Sequence, residues 1–106
     1  DEKFALKLFR NTINNNKENE DIIVKFSNNW ELERIAVMDQ LFLKMAFAEI
    51  LSMEDLPVKV SMNEYIEISK YYGAAKSKLF VNGLLDNVVK TYTREGKIKK
   101  IGRGLV

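Results

Sequence analysis

The chain contains no cysteine and no histidine, and a single proline among its 106 residues. Without cysteine there are no disulfides. Without either residue there is no zinc site on Cys or His ligands and no nucleophile–histidine pair for covalent catalysis. A cysteine-free chain suits a reducing compartment, so a cytoplasmic location is expected. One proline and five glycines leave little punctuation, which favours long helices over many short strands. Hydrophobic runs stay well short of a membrane span, and no secretory pattern opens the chain. "GKIKKIGRG" has glycines and cations but lacks the Walker spacing. The carboxylates of "NNWELER" and "MEDL" have neither the alternation nor the loop length that calcium requires. No catalytic site, metal or cofactor is expected, and the chain does not read as an enzyme.

What is present fits one globular domain: 46% hydrophobic and 30% charged residues in a length that supports a single core. Charge is unevenly placed. Asp1 to Tyr92 holds 12 basic and 14 acidic residues, a net of −2, while Thr93 to Val106 holds five basic and one acidic, a net of +4. The expected organisation is therefore a helical domain over 1–92 and a basic tail over 93–106. That tail is either a solvated segment or a nucleic-acid contact.

Helical spacing recurs along the chain. Ala5, Leu8, Phe9 and Ile13 share a face, and Asn14 to Asn16 form a stop. Ile22, Phe26 and Trp30 continue a second helix. Their spacing places Trp30 in the core rather than on a base. "ELERIAVMDQLFLKMAFAEILSM" is apolar nearly all round, the mark of a central helix. Its charges Asp39, Lys44 and Glu49 are expected where it reaches the surface or a partner, or in an intramolecular pair. Pro57 sets an extended connection. Ser61 and Glu64 then match a capping box, in which hydroxyl and carboxylate each satisfy a backbone N–H. Gly73 stands where a left-handed C-terminal residue belongs. Val81, Leu84, Leu85, Val88 and Tyr92 keep one stripe running through Asn82-Gly83, a pair that elsewhere marks a hairpin turn. Gly83 lies opposite that stripe, where a tight helix crossing or the approach of a ligand accounts for it. The sum is an all-α, compact bundle of five or six helices.

Binding chemistry gathers at one place. Lys76 and Lys78 flank Ser77 at a helix start, with Phe80 just beyond. Helix N-terminal N–H groups attract phosphate, lysines add sequence-independent charge, and an aromatic ring can stack on an unpaired base. The pattern fits an edge for single-stranded RNA, or else a core phenylalanine between two solvated lysines.

"PVKVSMNEYIEISKYYGAAKSKLFVNGLLDNV" resembles the C-terminal signature of the NusB family of transcription antitermination factors. The matching positions include Pro57, Val60, Asn63, Glu64, Glu67, Lys70 and Gly73. Ser77, Phe80, Val81, Asn82, Gly83, Leu84, Leu85 and Asp86 follow. Upstream, Asp39 to Glu49 resembles the family's helix of an acid, an apolar run and a final Glu. The resemblance implies an all-α fold of two helical subdomains. It also implies binding of boxA-type single-stranded RNA with the ribosomal protein NusE, within the complex that keeps RNA polymerase elongating through ribosomal RNA operons. On this resemblance Lys76, Ser77 and Phe80 are RNA contacts, with Lys78 added on charge, and Asp39 is a NusE contact. Lys76 stands where relatives often carry an acid, and Leu79 where they are often basic. The family's arginine-rich N-terminal helix is not visible in Asp1 to Arg10, so the chain is expected to be a C-terminal portion. An alternative is the NusB-like RNA-binding domain of a ribosomal RNA cytosine methyltransferase.

Overall fold

The computed structural model describes residues 2–28, 32–72 and 76–106. Five α-helices account for most of them: α1 (Glu2–Asn14), α2 (Asn16–Phe26), α3 (Val37–Ser52), α4 (Val58–Tyr72) and α5 (Ser77–Arg94). Short 3-10 turns occupy Leu32–Arg34 and Gly102–Leu105, and no strand occurs among the described residues. The expected all-α architecture is what is found.

α3 is the central rod, packed against α1, α2, α4 and α5. Its residues Phe42, Leu43, Ala46, Phe47 and Ile50 are buried on several sides, as a helix without a polar face requires. The stripe Val81, Leu84, Leu85, Val88 and Tyr92 of α5 closes onto the same core, joined by Ile23 of α2 and Tyr65 of α4. Each such fully buried side chain contributes roughly 1.5–3 kcal/mol, so this interface dominates the stability. Asn28 ends the α2 segment with φ 59°, a left-handed conformation that Asn tolerates. The expectations for Trp30 and Gly73 lie outside the described residues.

Three local expectations need correction. The central helix begins at Val37, because residues 32–34 wind into their own 3-10 turn. The capping box is not one. α4 starts at Val58, where the Pro57 carbonyl accepts from the N–H groups of Val60 and Ser61 at 3.1 and 3.3 Å. Ser61 is thereby placed inside the helix and wholly buried. Its hydroxyl donates to Glu49 Oε1 at 2.9 Å, and the Tyr65 hydroxyl donates to Glu49 Oε2. Of the places open to Glu49, surface, partner or internal pairing, the structure gives the last: it is an internal acceptor joining α3 to α4. In α1 the apolar stripe is only loosely covered: no residue of that helix is buried, and Phe9 and Ile13 are mostly exposed.

The basic segment after α5 is folded back as a strap. Gly96, at φ 70°, turns the chain, and the Lys97 N–H returns to the Tyr92 carbonyl at 2.8 Å. Ile98 packs against the core. Lys100 Nζ donates to the carbonyls of Glu49 and Met53 at 3.1 and 2.8 Å, placing a cation at the negative end of α3. Ile101 N–H donates to the Glu54 carbonyl at 2.9 Å. Burial draws the Lys100 ammonium below its usual range, opposed by Glu49, Asp55 and Glu54.

Burial pushes the Tyr65 phenol well above its ordinary value, aided by the hydrogen bond to Glu49 and the charges of Glu49 and Glu64. A raised phenol keeps in the native state a proton that the unfolded chain releases above about pH 10, so stability falls as pH rises past that value. Lys100, being lowered, works in the opposite sense below about pH 10.5. Urea titrations from about pH 9 to about pH 11 should show a net alkaline loss that is clearly flatter in Tyr65→Phe. Equal slopes would mean Tyr65 does not govern it.

Candidate functional site

α5 begins directly at the residues singled out by charge. Lys76 takes the capping position and makes no side-chain cap hydrogen bond. The first N–H groups of α5 and the positive end of its dipole therefore have no side-chain cap from Lys76 and stand beside two exposed ammonium groups, Lys76 and Lys78. An anion is favoured there.

The opposite wall comes from the entrance to α3. Gln40 Nε2 donates to the carbonyls of Leu32 and Ile35, both at 2.9 Å, and ties the 3-10 turn down onto α3. That clamp holds Ile35 in the core and sets the first turn of α3 beside Ser77. Between the walls lies a cleft of about 530 Å³, lined by Ile35, Asp39, Lys76, Ser77, Leu79 and Phe80, with Arg34 beside them. Asp39 and Ser77 are only 6% and 2% exposed. Asp39 Oδ1 and Ser77 Oγ have no hydrogen-bond partner among the described residues. A buried polar atom left unpaired costs about 1–3 kcal/mol. Two of them at one cleft amount to unused capacity: an ionised carboxylate accepts only, and a hydroxyl accepts or donates.

Leu79 gives the cleft an exposed apolar edge, and the start of α3 is oily as well. Val37, Met38 and Leu41 of α3 and Leu79 of α5 are exposed, Val37 and Leu79 by 79% and 76%. Among the described residues no cluster of potential metal ligands is found. Among the described residues no helix is long and apolar enough to cross a membrane.

The structure brings Lys76, Ser77 and Phe80 together on one cleft. It adds Asp39, which the sequence suggested for a different partner. Lys78 is exposed but does not line the cleft. Asp39 does not stand on an exposed edge, one of the places open to it; it is buried because the Leu32–Ile35 segment and α5 enclose the first turn of α3. Gly83 also departs from expectation. It is exposed, and no described atom approaches within 4 Å of where a Cβ would stand, so the tight helix crossing is absent among the described residues. A glycine in a helix interior costs about 1 kcal/mol relative to alanine. Sequence reasoning missed Val37, Met38 and Leu41 as surface residues. A helix apolar all round gives no sign of which end emerges.

Comparison with known proteins gives a consistent picture. A family profile described as "NusB family" matches residues 1–90. The transcription antitermination protein NusB of Salinibacter ruber is 44% identical over 103 residues, covering 97% of this chain and 64% of that protein. The protein of the same name from Chloroherpeton thalassium is 43% identical, over 97% of this chain and 49% of its own length. The one from Dictyoglomus turgidum is 37% identical over 97% and 69%. A solved structure of T. maritima NusB superimposes with a TM-score of 0.81 at 35% identity, covering 90% of this chain and 67% of that one. The chain thus spans between half and about two thirds of the length of these proteins.

Proposed function

The chain belongs to the NusB family, and from that premise we propose that it is a cytoplasmic binding module of transcription antitermination. It engages boxA-type single-stranded RNA together with the ribosomal protein NusE, and so supports RNA polymerase elongating through ribosomal RNA operons. The observation that carries this reading is the cleft where Lys76, Ser77, Phe80 and Asp39 meet. Phosphates are drawn to Lys76, Lys78 and the uncapped start of α5. The Phe80 ring offers a face to an unpaired base. The exposed apolar side chains Val37, Met38 and Leu41 of α3 and Leu79 of α5 suit a protein surface more than a polyanion. Asp39, in the floor, is reached by a basic side chain inserted from that protein. Because it is buried, its weight falls on dissociation rather than on long-range steering.

The test is a titration of boxA-type RNA, with and without NusE, across a range of salt. The double variant Lys76→Ala, Lys78→Ala is expected to weaken RNA binding and to reduce the slope of log K against log salt by about 1.4, about 0.7 for each lost phosphate contact. In the same assay Asp39→Asn should speed NusE dissociation about tenfold or more. An unchanged salt slope removes the lysines from the interface, and an unchanged dissociation rate removes Asp39.

A further inference from the structure

Lys59, Asn63 and Asn82 are exposed on α4 and α5, and none of their side chains makes a hydrogen bond or ion pair with a described residue. They line one groove of about 630 Å³ between α4, α5 and the strap. That volume lies within the roughly 300–1,000 Å³ of ligand sites. The groove shares no lining residue with the Lys76 cleft.

Its lining is chemically one-sided. Val58, Met62, Ile66, Val89 and Ile98 give it a half-buried apolar floor. The lining side chains include two cations, Lys59 and Lys100, and no acid. Lys100 gives two of its N–H donors to the carbonyls of Glu49 and Met53 and has another left. No aromatic ring lines the groove, so it lacks the platform on which unpaired bases stack. Asn63 stands on the α4 wall and Asn82 on the α5 wall. A carboxamide carries a donor and an acceptor side by side. It pairs with the N–H and C=O of a peptide only where these are not already used inside a helix. That condition selects an extended chain.

We propose that this groove binds an extended segment of a partner protein in which apolar residues alternate with acidic ones. Successive side chains of an extended chain point to opposite faces, so one set enters the apolar floor. The other set carries the carboxylates, which meet Lys59 at the rim and the charge of Lys100 on the strap side. Asn63 and Asn82 hold the peptide backbone between them. This site is separate from the Lys76 cleft and stands whether or not RNA binds there.

Panning a displayed library of short random peptides on this chain provides the test. Enriched peptides should be rich in Leu, Ile, Val and Met and in Asp and Glu, and poor in Lys and Arg. A synthetic peptide of the enriched consensus, followed by fluorescence polarisation, should bind Asn63→Ala and Asn82→Ala about tenfold more weakly than the parent, the loss of one backbone pairing in each. Lys59→Glu should weaken it as well and turn the enriched peptides toward basic residues. These variants should melt with the parent and bind boxA-type RNA as the parent does, because the substituted side chains are exposed and lie outside the Lys76 cleft. No enrichment overturns the proposal, as does a consensus without acidic residues. Parent affinity of the consensus peptide for the double variant Asn63→Ala, Asn82→Ala overturns it too. Displacement of the peptide by a single-stranded RNA oligonucleotide would give the groove to nucleic acid. Self-association of the parent chain, abolished by the same double variant in sedimentation, would give it to a second copy. Either result removes the partner segment.

Discussion

Replacing Glu49 by alanine should destabilise the protein by about 3–5 kcal/mol, a large part of the roughly 5–15 kcal/mol that holds a domain of this size together. The carboxylate is only 1% exposed and accepts from Ser61 and Tyr65 on the facing helix. Removing it leaves two hydroxyls without an acceptor inside the α3–α4 interface, at about 1–3 kcal/mol each, and opens a cavity beside them. Glu49→Gln should lose much less: the amide keeps one acceptor, and the other hydroxyl can rotate to accept from its N–H. The decisive comparison is the triple variant Glu49→Leu, Ser61→Ala, Tyr65→Phe. Replacing every polar member by an apolar one should recover most of the loss, because nothing is then left buried and unpaired. Urea unfolding of the three proteins measures this. If the triple variant is as unstable as Glu49→Ala, the loss comes from packing and not from orphaned hydrogen bonds.

Gly104→Val should unseat the strap. A Cβ at Gly104 would stand 2.0 Å from the Glu54 carbonyl oxygen and 3.0 Å from its carbon, with backbone on both sides of the contact. Neither side is a flexible side chain able to swing away, so one segment must move, at about 1–3 kcal/mol. The strap is the segment with fewer anchors. Once displaced, Lys100 leaves the carbonyls of Glu49 and Met53, and the end of α3 loses its cation. The expected results are a lower urea midpoint and rapid trypsin cleavage after Lys99 and Lys100, with α1 to α5 still helical by circular dichroism. Lys100→Met, which keeps the glycine, should show the smaller part of the same destabilisation. A Gly104→Val protein with parent stability and protease resistance would mean the strap contributes nothing to holding that corner.

The elements of this fold were legible where hydrophobic spacing is unambiguous. The α5 stripe through Asn82-Gly83 outweighed a turn signal because all five of its positions, Val81 to Tyr92, enter the core. Ser61 and Glu64 misled because a capping box and a buried serine one turn into a helix look identical in one dimension. The discriminating partner, Glu49, is twelve residues away on another helix. Asp39 and Ser77 were each identified, yet nothing in sequence says that the entrance of α3 faces the entrance of α5. The strap was hidden for a related reason. A run of lysines and glycines reads as solvated or as a nucleic-acid contact, and the carbonyls that Lys100 meets belong to backbone, which carries no signature in the residue types.

The bare face of α1 has a consequence for how the molecule moves. Its side chains stay half in water even when the helix is seated on α3, so lifting it away forfeits little burial. The free energy that closes it is a fraction of what closes α5 onto α3. Among the described residues α1 is therefore the first helix to lift, in partial openings that leave the α3–α5 junction shut. The surface at the start of α5 keeps its shape through them.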